Sequence, residues 1–178
     1  MNLPNKLTLL RVLLVPVFII TLLVPFGFEG QKWLALGIFV VASITDFFDG
    51  KIARKRKLIT TFGKFMDPLA DKLLVCAALV CLVELGRVPA WMTIVIISRE
   101  FIISGFRLVA ANNNIVIAAG WLGKIKTFLQ MTAIILLIAD IPALYIVTTI
   151  VLWAAVVMTV VSLVDYIVKN REVIGNDM

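Results

Sequence analysis

Six long apolar segments occupy nearly the whole chain, and short polar or charged connections separate them. Each segment has about 20 residues or more, the length that an α-helix needs to cross roughly 30 Å of hydrocarbon. The pattern predicts an all-α polytopic membrane protein, a bundle of six transmembrane helices near residues 5–25, 32–57, 61–86, 89–111, 117–139 and 142–169. Because the segments leave no room for a separate soluble part, residues 1–178 are predicted to form a single integral membrane domain.

Composition supports this class of protein, since 62% of the 178 residues are hydrophobic and only 16% are charged. Lysine and arginine gather at both ends and in the 2–3 and 4–5 connections. The positive-inside rule therefore predicts a multi-pass protein with both termini and these two connections in the cytoplasm. The net charge of +6 then describes mainly a basic rim, which suits anionic lipid headgroups. Because this charge is tied to the membrane edges, nucleic acid is not an expected partner.

Two acidic stripes mark the second and third predicted helices. Asp46 and Asp49 are three residues apart on the second, and Asp67 and Asp71 are four apart on the third, so each pair lies on one helix face. A short basic turn joins these helices, and we expect them to be antiparallel neighbours whose stripes face each other. Small residues share the two faces and leave a hollow for a ligand, namely Gly50, Ala53 and Gly63. For Gly50, a close contact between helices is the alternative explanation.

Four carboxylates at membrane depth are costly, and ionisable groups there usually mark a functional site. Carboxylates presented in pairs from facing helices are a usual way to bind hard divalent cations through oxygen. The chain has no histidine, which excludes a histidine-ligated zinc or iron site. The pattern therefore predicts Mg²⁺ or Mn²⁺ between the stripes. The alternative is that the aspartates cap helix ends or pair with cations at a wet rim, among them Lys55, Arg56 and Lys64.

The spacing of these residues resembles that of the CDP-alcohol phosphotransferase family, whose motif is D-x2-D-G-x2-A-R-x8-G-x3-D-x3-D. The chain meets it in full at Asp46, Asp49, Gly50, Ala53, Arg54, Gly63, Asp67 and Asp71. The resemblance implies an enzyme in which an acceptor hydroxyl attacks the β-phosphate of a CDP-linked lipid and releases CMP. It also implies a bacterial cytoplasmic membrane protein that is usually a homodimer.

The same resemblance divides the roles of the motif residues. It implies that Asp46, Asp49 and Asp67 ligate two divalent cations, and that Asp71 completes the metal site and acts as the general base. It implies a pocket for the CDP-lipid lined by Gly50, Ala53, Arg54, Gly63 and Lys64, together with Asn5 and Thr8 of the N-terminal segment. The alternatives are a lysine that extends to the membrane rim for Lys64, and caps at the helix start for Asn5 and Thr8.

Further cations within the apolar pattern are candidates for binding the acceptor. Arg99 and Arg107 lie in the fourth predicted helix, and Lys124 lies near the start of the fifth. We expect these cations to form a pocket for a phosphate group. An internal ion-pair network of Arg99, Glu100 and Arg107 is the alternative, as is an interfacial role for Lys124.

The segments around these cations identify the substrates by resemblance. The strings Ser-Arg-Glu-Phe-Ile-Ile-Ser-Gly-Phe-Arg, Gly-Lys-Ile-Lys-Thr and Asp-Pro-Leu-Ala-Asp-Lys are most similar to family members that join CDP-diacylglycerol to sn-glycerol 3-phosphate. Physical reasoning alone leaves inositol phosphate open as the acceptor, because both alcohols carry a phosphomonoester. A cation-coupled transporter is the alternative from another class of function, since intramembrane aspartates also form ion sites in carriers.

Overall fold

The computed structural model describes the backbone of residues 3–28, 30–56, 61–112 and 120–171, and the side chains of 9–28, 30–45, 72–108, 110 and 120–171. Within these ranges the chain is helical and has no β-strand. The helices are α1 (Leu3–Leu23), α2 (Gln31–Arg56), α3 (Thr61–Glu84), α4 (Ala90–Asn112), α5 (Trp121–Ala139) and, after a 3-10 turn at Pro142–Leu144, α6 (Tyr145–Lys169). The all-α class is confirmed, and each predicted segment corresponds to one helix.

The chain divides into two compact units, Met1–Val88 and Pro89–Met178. In the first unit, α1 packs against both α2 and α3, and α2 also contacts α3. The rings of Phe18 and Phe39 are fully buried where α1 meets α2, with their centroids 5.7 Å apart. The predicted single domain stays a prediction.

The connection between α1 and α2 is fastened by one side chain. The amide nitrogen Nε2 of Gln31 donates to the carbonyl oxygens of Thr21 (2.7 Å) and Val24, and its Oε1 accepts from the backbone N–H of Phe26 at 2.9 Å. Gly30 has a φ of 104°, a conformation that strains any residue with a Cβ. The side chain of Gln31 thus satisfies carbonyl groups at the end of α1 that have no partner within that helix.

In the second unit, α6 packs against both α4 and α5. Trp91 lies beside Trp153 with ring centroids 5.6 Å apart, and Arg99 donates to Ser162, so α4 and α6 run in the same direction. A Cβ at Gly120 would lie 3.8 Å from Asp165, so α5 starts where α6 ends. The C-terminal halves of α4 and α6 therefore meet the N-terminal end of α5 at one end of this unit.

The second unit has an apolar exterior and polar groups inside. Its exposed residues include Ile94, Phe128 and Ile150, while its buried ones include Arg99, Lys126, Gln130, Thr159 and Ser162. In the described part of the chain, Trp121–Ala139 and Pro142–Lys169 are long and apolar enough to cross a membrane. This distribution is the reverse of that in a soluble protein and is typical of a membrane protein. The six-span topology stays a prediction.

Candidate functional site

The residues of the acidic motif all lie on helices of the first unit. Helix α2 carries Asp46, Asp49, Gly50, Ala53 and Arg54, α3 carries Gly63, Lys64, Asp67 and Asp71, and α1 carries Asn5 and Thr8. Their side chains lie outside the described residues, so the predicted metal and CDP-lipid contacts stay predictions. Because the backbone is helical through residues 46–56 and 61–71, the spacings of three and four residues do place each acidic pair along one side of its helix.

Among the described side chains, no group of three or more histidine, cysteine, aspartate or glutamate residues is arranged to hold a metal ion. The predicted quartet does not belong to this set. Its donor chemistry suits Mg²⁺ or Mn²⁺, because it offers carboxylate oxygens from two helices that contact each other. The first unit therefore has the ligand types and helix pairing that such a site requires.

Arg11 of α1 is a buried cation that the sequence prediction did not assign to a site. It is only 2% exposed, on the helix that packs against both α2 and α3. Lys6 and Arg11 are the two basic residues of the N-terminal segment, and only the packing of α1 shows that Arg11 is buried.

Arg99 of α4 is buried and held from two sides. Its Nε donates to Oγ of Ser162 on α6 at 3.2 Å, and its Nη1 donates to Oε1 of Glu100 at 3.2 Å. A Cβ at Gly123 of α5 would lie 3.5 Å from Nη2. Because Gly123 is a glycine and has no side chain, the backbone of α5 comes close to the guanidinium of Arg99.

Glu100 also pairs with a second cation. Lys126 of α5 is 1% exposed, and its Nζ donates to the same Oε1 that accepts from Arg99. The contact between Arg99 and Glu100 belongs to the ion-pair network that was the alternative to phosphate binding, and the predicted role of Arg99 in binding the acceptor phosphate stays a prediction. Lys126 was not among the predicted site residues, because only the packing of α5 shows that it is buried. It shares a helix face with Gln130, Ala133 and Leu137, all of which are buried.

The other two predicted acceptor residues are exposed. The guanidinium carbon of Arg107 lies 5.8 Å from the ring centroid of Tyr166, so Arg107 joins Arg99 along the face where α4 packs on α6. Lys124 instead lies over Trp121 on its own helix, with Nζ 5.7 Å from the ring centroid. The structure thus brings Arg99 and Arg107 to neighbouring turns of α6, whereas Lys124 contacts an exposed part of α5.

Two buried polar atoms on α5 and α6 have no hydrogen-bond partner in the described part of the chain. They are the hydroxyl oxygen of Tyr166, one turn beyond Ser162 on α6, and Oε1 of Gln130, one turn beyond Lys126 on α5. Buried polar groups are nearly always hydrogen-bonded, so such atoms call for an explanation. Together with Arg99 and Lys126, they make part of the interior of the second unit polar.

Comparison with known proteins identifies the family. Residues 1–161 match the family model described as CDP-alcohol phosphatidyltransferase. The chain belongs to this family. The CDP-diacylglycerol–glycerol-3-phosphate 3-phosphatidyltransferase of Bacillus subtilis (strain 168) is 48% identical to this chain, and the match covers 96% of each of the two chains. The resemblance seen in the acidic motif is thereby confirmed.

Two further relatives extend this comparison. The probable phosphatidylglycerophosphate synthase of Mycobacterium tuberculosis (strain ATCC 25618 / H37Rv) is 42% identical to the present chain, and the match covers 98% of the present chain and 84% of the relative. The CDP-diacylglycerol–glycerol-3-phosphate 3-phosphatidyltransferase of Rickettsia bellii is 41% identical over 93% of each chain. Bacterial relatives with names that agree on one reaction thus match at least 93% of this chain.

Proposed function

We propose that this chain transfers the phosphatidyl group of CDP-diacylglycerol to sn-glycerol 3-phosphate, giving phosphatidylglycerophosphate and CMP. The observation that carries the proposal is the 48% identity over 96% of both chains to a relative named for this reaction. The complete acidic motif on α2 and α3 and the buried cations on α4 and α5 support it independently.

On the donor side, we infer that Asp46, Asp49 and Asp67, with Asp71, hold two divalent cations, either Mg²⁺ or Mn²⁺. Such cations, when bound, neutralise the diphosphate of the donor and stabilise the leaving phosphate oxygen. The carboxylates orient the cations, and Arg54 offers a charge-assisted fork to a phosphate oxygen. Gly50, Ala53, Gly63, Lys64, Asn5 and Thr8 are the remaining proposed contacts of the CDP-lipid.

In the proposed transfer, the hydroxyl oxygen at carbon 1 of glycerol 3-phosphate forms a bond to the β-phosphorus. The bond from that phosphorus to the bridging oxygen breaks, and CMP leaves with the electron pair. Asp71 accepts the proton of the attacking hydroxyl, as a carboxylate placed beside the reacting group can do. The proton thus goes to Asp71 and the electron pair of the broken bond goes to CMP.

On the acceptor side, we infer that Arg99 and Arg107 bind the phosphate of glycerol 3-phosphate, with Lys124 adding charge from the exposed start of α5. Arginine suits this task because its planar guanidinium can donate two parallel hydrogen bonds to a phosphate. The burial of Arg99 supports this inference, since a cation in a low-dielectric interior interacts strongly with an anion.

We propose that the protein lies in the bacterial cytoplasmic membrane with six spans and with both termini and the active site facing the cytoplasm. The apolar exterior and polar interior of the second unit support a membrane location. The proposed orientation rests on the clusters of lysine and arginine at alternate connections.

An acceptor panel tests the proposed reaction. Purified protein with CDP-diacylglycerol and Mg²⁺ or Mn²⁺ is expected to release CMP when glycerol 3-phosphate is present, and much less with inositol phosphate, glycerol or serine. Chelation of the cations by EDTA should stop the release. Release of CMP with inositol phosphate alone would mean that the chain carries out the family's chemistry on a different acceptor. No release with any phosphorylated polyol would contradict the proposed enzyme activity.

A further inference from the structure

A buried arginine interrupts the apolar interior of the first unit. It belongs to a stripe of α1 side chains that recur every three or four residues and are at most 9% exposed, namely Arg11, Val15, Phe18 and Leu22. Because α1 packs against α2 and α3, this stripe is the side of α1 that faces them. Arg11 is 2% exposed, and the three other members of the stripe are apolar. The inner side of α1 thus changes from apolar to cationic at Arg11.

The contact between Phe18 and Phe39 fixes the register of α1 against α2. The ring centroids are 5.7 Å apart, and the two helices are antiparallel because a short connection joins them. Arg11 lies seven residues before Phe18. Asp46 lies seven residues after Phe39. Since seven residues make nearly two turns and about 10 Å of helix, Arg11 and position 46 lie at the same level on facing sides of the two helices.

The buried stripe of α2 leads to the same position. Ala35, Phe39 and Ala42 are 0% exposed and are spaced by four and three residues. Asp46 comes four residues after Ala42, and the backbone is still helical there. Position 46 therefore continues, by one further turn, the side of α2 that is buried.

The acids of the first unit limit the counter-charges that Arg11 can have there. A buried cation without an anionic partner is strongly unfavourable. Up to Val88 the sequence has two acids outside the acidic motif, Glu29 and Glu84. Glu29 follows the end of α1, whereas Arg11 lies in the middle of that helix. Glu84 is exposed at the end of α3. Within this unit, the acidic motif is therefore the suitable source of negative charge.

We propose that Arg11 is a positioning residue, which pairs with Asp46 and orients that carboxylate toward the divalent cations. This inference rests on the proposed function, which assigns Asp46 to the cations, and adds Arg11 to it. A carboxylate has two oxygens, so Asp46 can accept from the guanidinium with one oxygen and bind a cation with the other. In this arrangement Arg11 touches neither the cations nor the substrates.

Arg11 affects cation binding in two opposite ways. Its positive charge repels a divalent cation, which by itself weakens binding. Its hydrogen bonds hold Asp46 in the required orientation, and groups that orient metal ligands typically contribute about 10- to 100-fold in affinity. We expect orientation to dominate, because the motif has four carboxylates and one arginine offsets only part of their attraction for cations.

Binding of Mn²⁺ alone tests the positioning role without any turnover. The EPR signal of free Mn²⁺, followed while purified protein in detergent is titrated, gives the affinity. Arg11→Met should weaken Mn²⁺ binding by about 10- to 100-fold. Arg11→Lys should weaken it less, because lysine keeps the charge but not the planar fork of donors. Lys32→Met removes a cation from the other end of α2 and is the matched control, which should bind Mn²⁺ as the wild type does.

A double-mutant cycle in EDTA tests the contact itself. Asp46→Asn should lower the thermal unfolding midpoint of the wild type, because it leaves the buried Arg11 without its partner. In an Arg11→Met background it should raise the midpoint, because it removes a carboxylate that has lost its partner. We expect the two shifts to differ by on the order of 10 °C. With Asp49→Asn as the matched control, the difference should be much smaller.

The two measurements separate the pairing from the cation site. Equal shifts for Asp46→Asn in both backgrounds would overturn the pairing, and Arg11→Lys supplies the second background if Arg11→Met does not fold. An Mn²⁺ affinity of Arg11→Met equal to that of the wild type, or tighter, would overturn the positioning role. If the wild type bound no Mn²⁺, the proposed cation site would fail instead, and the cycle in EDTA would still decide the pairing.

Discussion

Asp71 is the residue on which the proposed proton transfer depends. It lies four residues after Asp67 on α3 and completes the acidic motif. Asparagine has nearly the same size but cannot accept a proton at neutral pH. General bases typically contribute about 10² to 10⁴ in rate, so Asp71→Asn should lower the rate of CMP release by at least about 10².

The measurement for Asp71→Asn pairs turnover with binding of CDP-diacylglycerol, part of which should persist. Asp140→Asn is a suitable control, because Asp140 follows α5 in a left-handed conformation that asparagine also adopts readily. It should keep normal activity. Near-normal turnover in Asp71→Asn would show that another group takes the proton.

The lysines of α5 show what the sequence reveals about single residues and what it does not. Lys124 and Lys126 both lie near the start of an apolar helix, and composition does not distinguish them. In the structure, Lys126 lies on the buried stripe with Gln130 and Ala133, while Lys124 is exposed. The two positions differ by about 200° around the helix, so the packing of α5 decides which cation enters the interior.

At the scale of elements, the lengths of the apolar runs were enough to predict the helices. The pairs that these helices form were not predictable in the same way. Helices that are apolar on nearly every face give no stripe that identifies the neighbour. The packing of α1 against α2 and α3, and of α6 against α4 and α5, therefore emerged only from the structure. The exception was the pair of acidic stripes. Carboxylates are energetically costly in an apolar setting, so the stripes indicated that α2 and α3 face each other.

The connection between α1 and α2 leads to a prediction about stability. Gln31 makes three hydrogen bonds to backbone groups of Thr21, Val24 and Phe26. A typical hydrogen bond contributes about 1 kcal/mol, so Gln31→Ala should lower the free energy of unfolding by about 1–3 kcal/mol. Thermal unfolding in detergent measures this, and the specific activity of the folded enzyme should be unchanged.

Gln31→Glu is the informative comparison for this connection. The glutamate keeps the acceptor for the N–H of Phe26 but loses the donor to the two carbonyl oxygens, and its charge is close to them. We expect it to be at least as destabilising as Gln31→Ala. An unfolding midpoint equal to that of the wild type in both variants would mean that the side chain does not fasten the connection.

At the scale of the whole molecule, the two units carry different parts of the proposed chemistry. The first holds the acidic motif and the proposed contacts of the CDP-lipid, and the second holds the cations proposed for the acceptor. In the second unit, polar residues are enclosed by helices whose outer faces carry exposed apolar residues such as Ile146 and Val157. Water is a poor surrounding for such an exterior, whereas hydrocarbon is a suitable one.

The positions of the connections relative to the membrane test the proposed six spans and their orientation. In a Cys76→Ala, Cys81→Ala background, single cysteines would be introduced by Phe28→Cys, Ala143→Cys, Lys57→Cys and Asn113→Cys. With six spans and cytoplasmic termini, a membrane-impermeant maleimide should label residues 28 and 143 in intact cells. It should label residues 57 and 113 only after the membrane is opened, and each variant should retain CMP release as a control for folding. A protein spanning the membrane only with α5 and α6 would instead place residues 28, 57 and 113 on one side and residue 143 on the other.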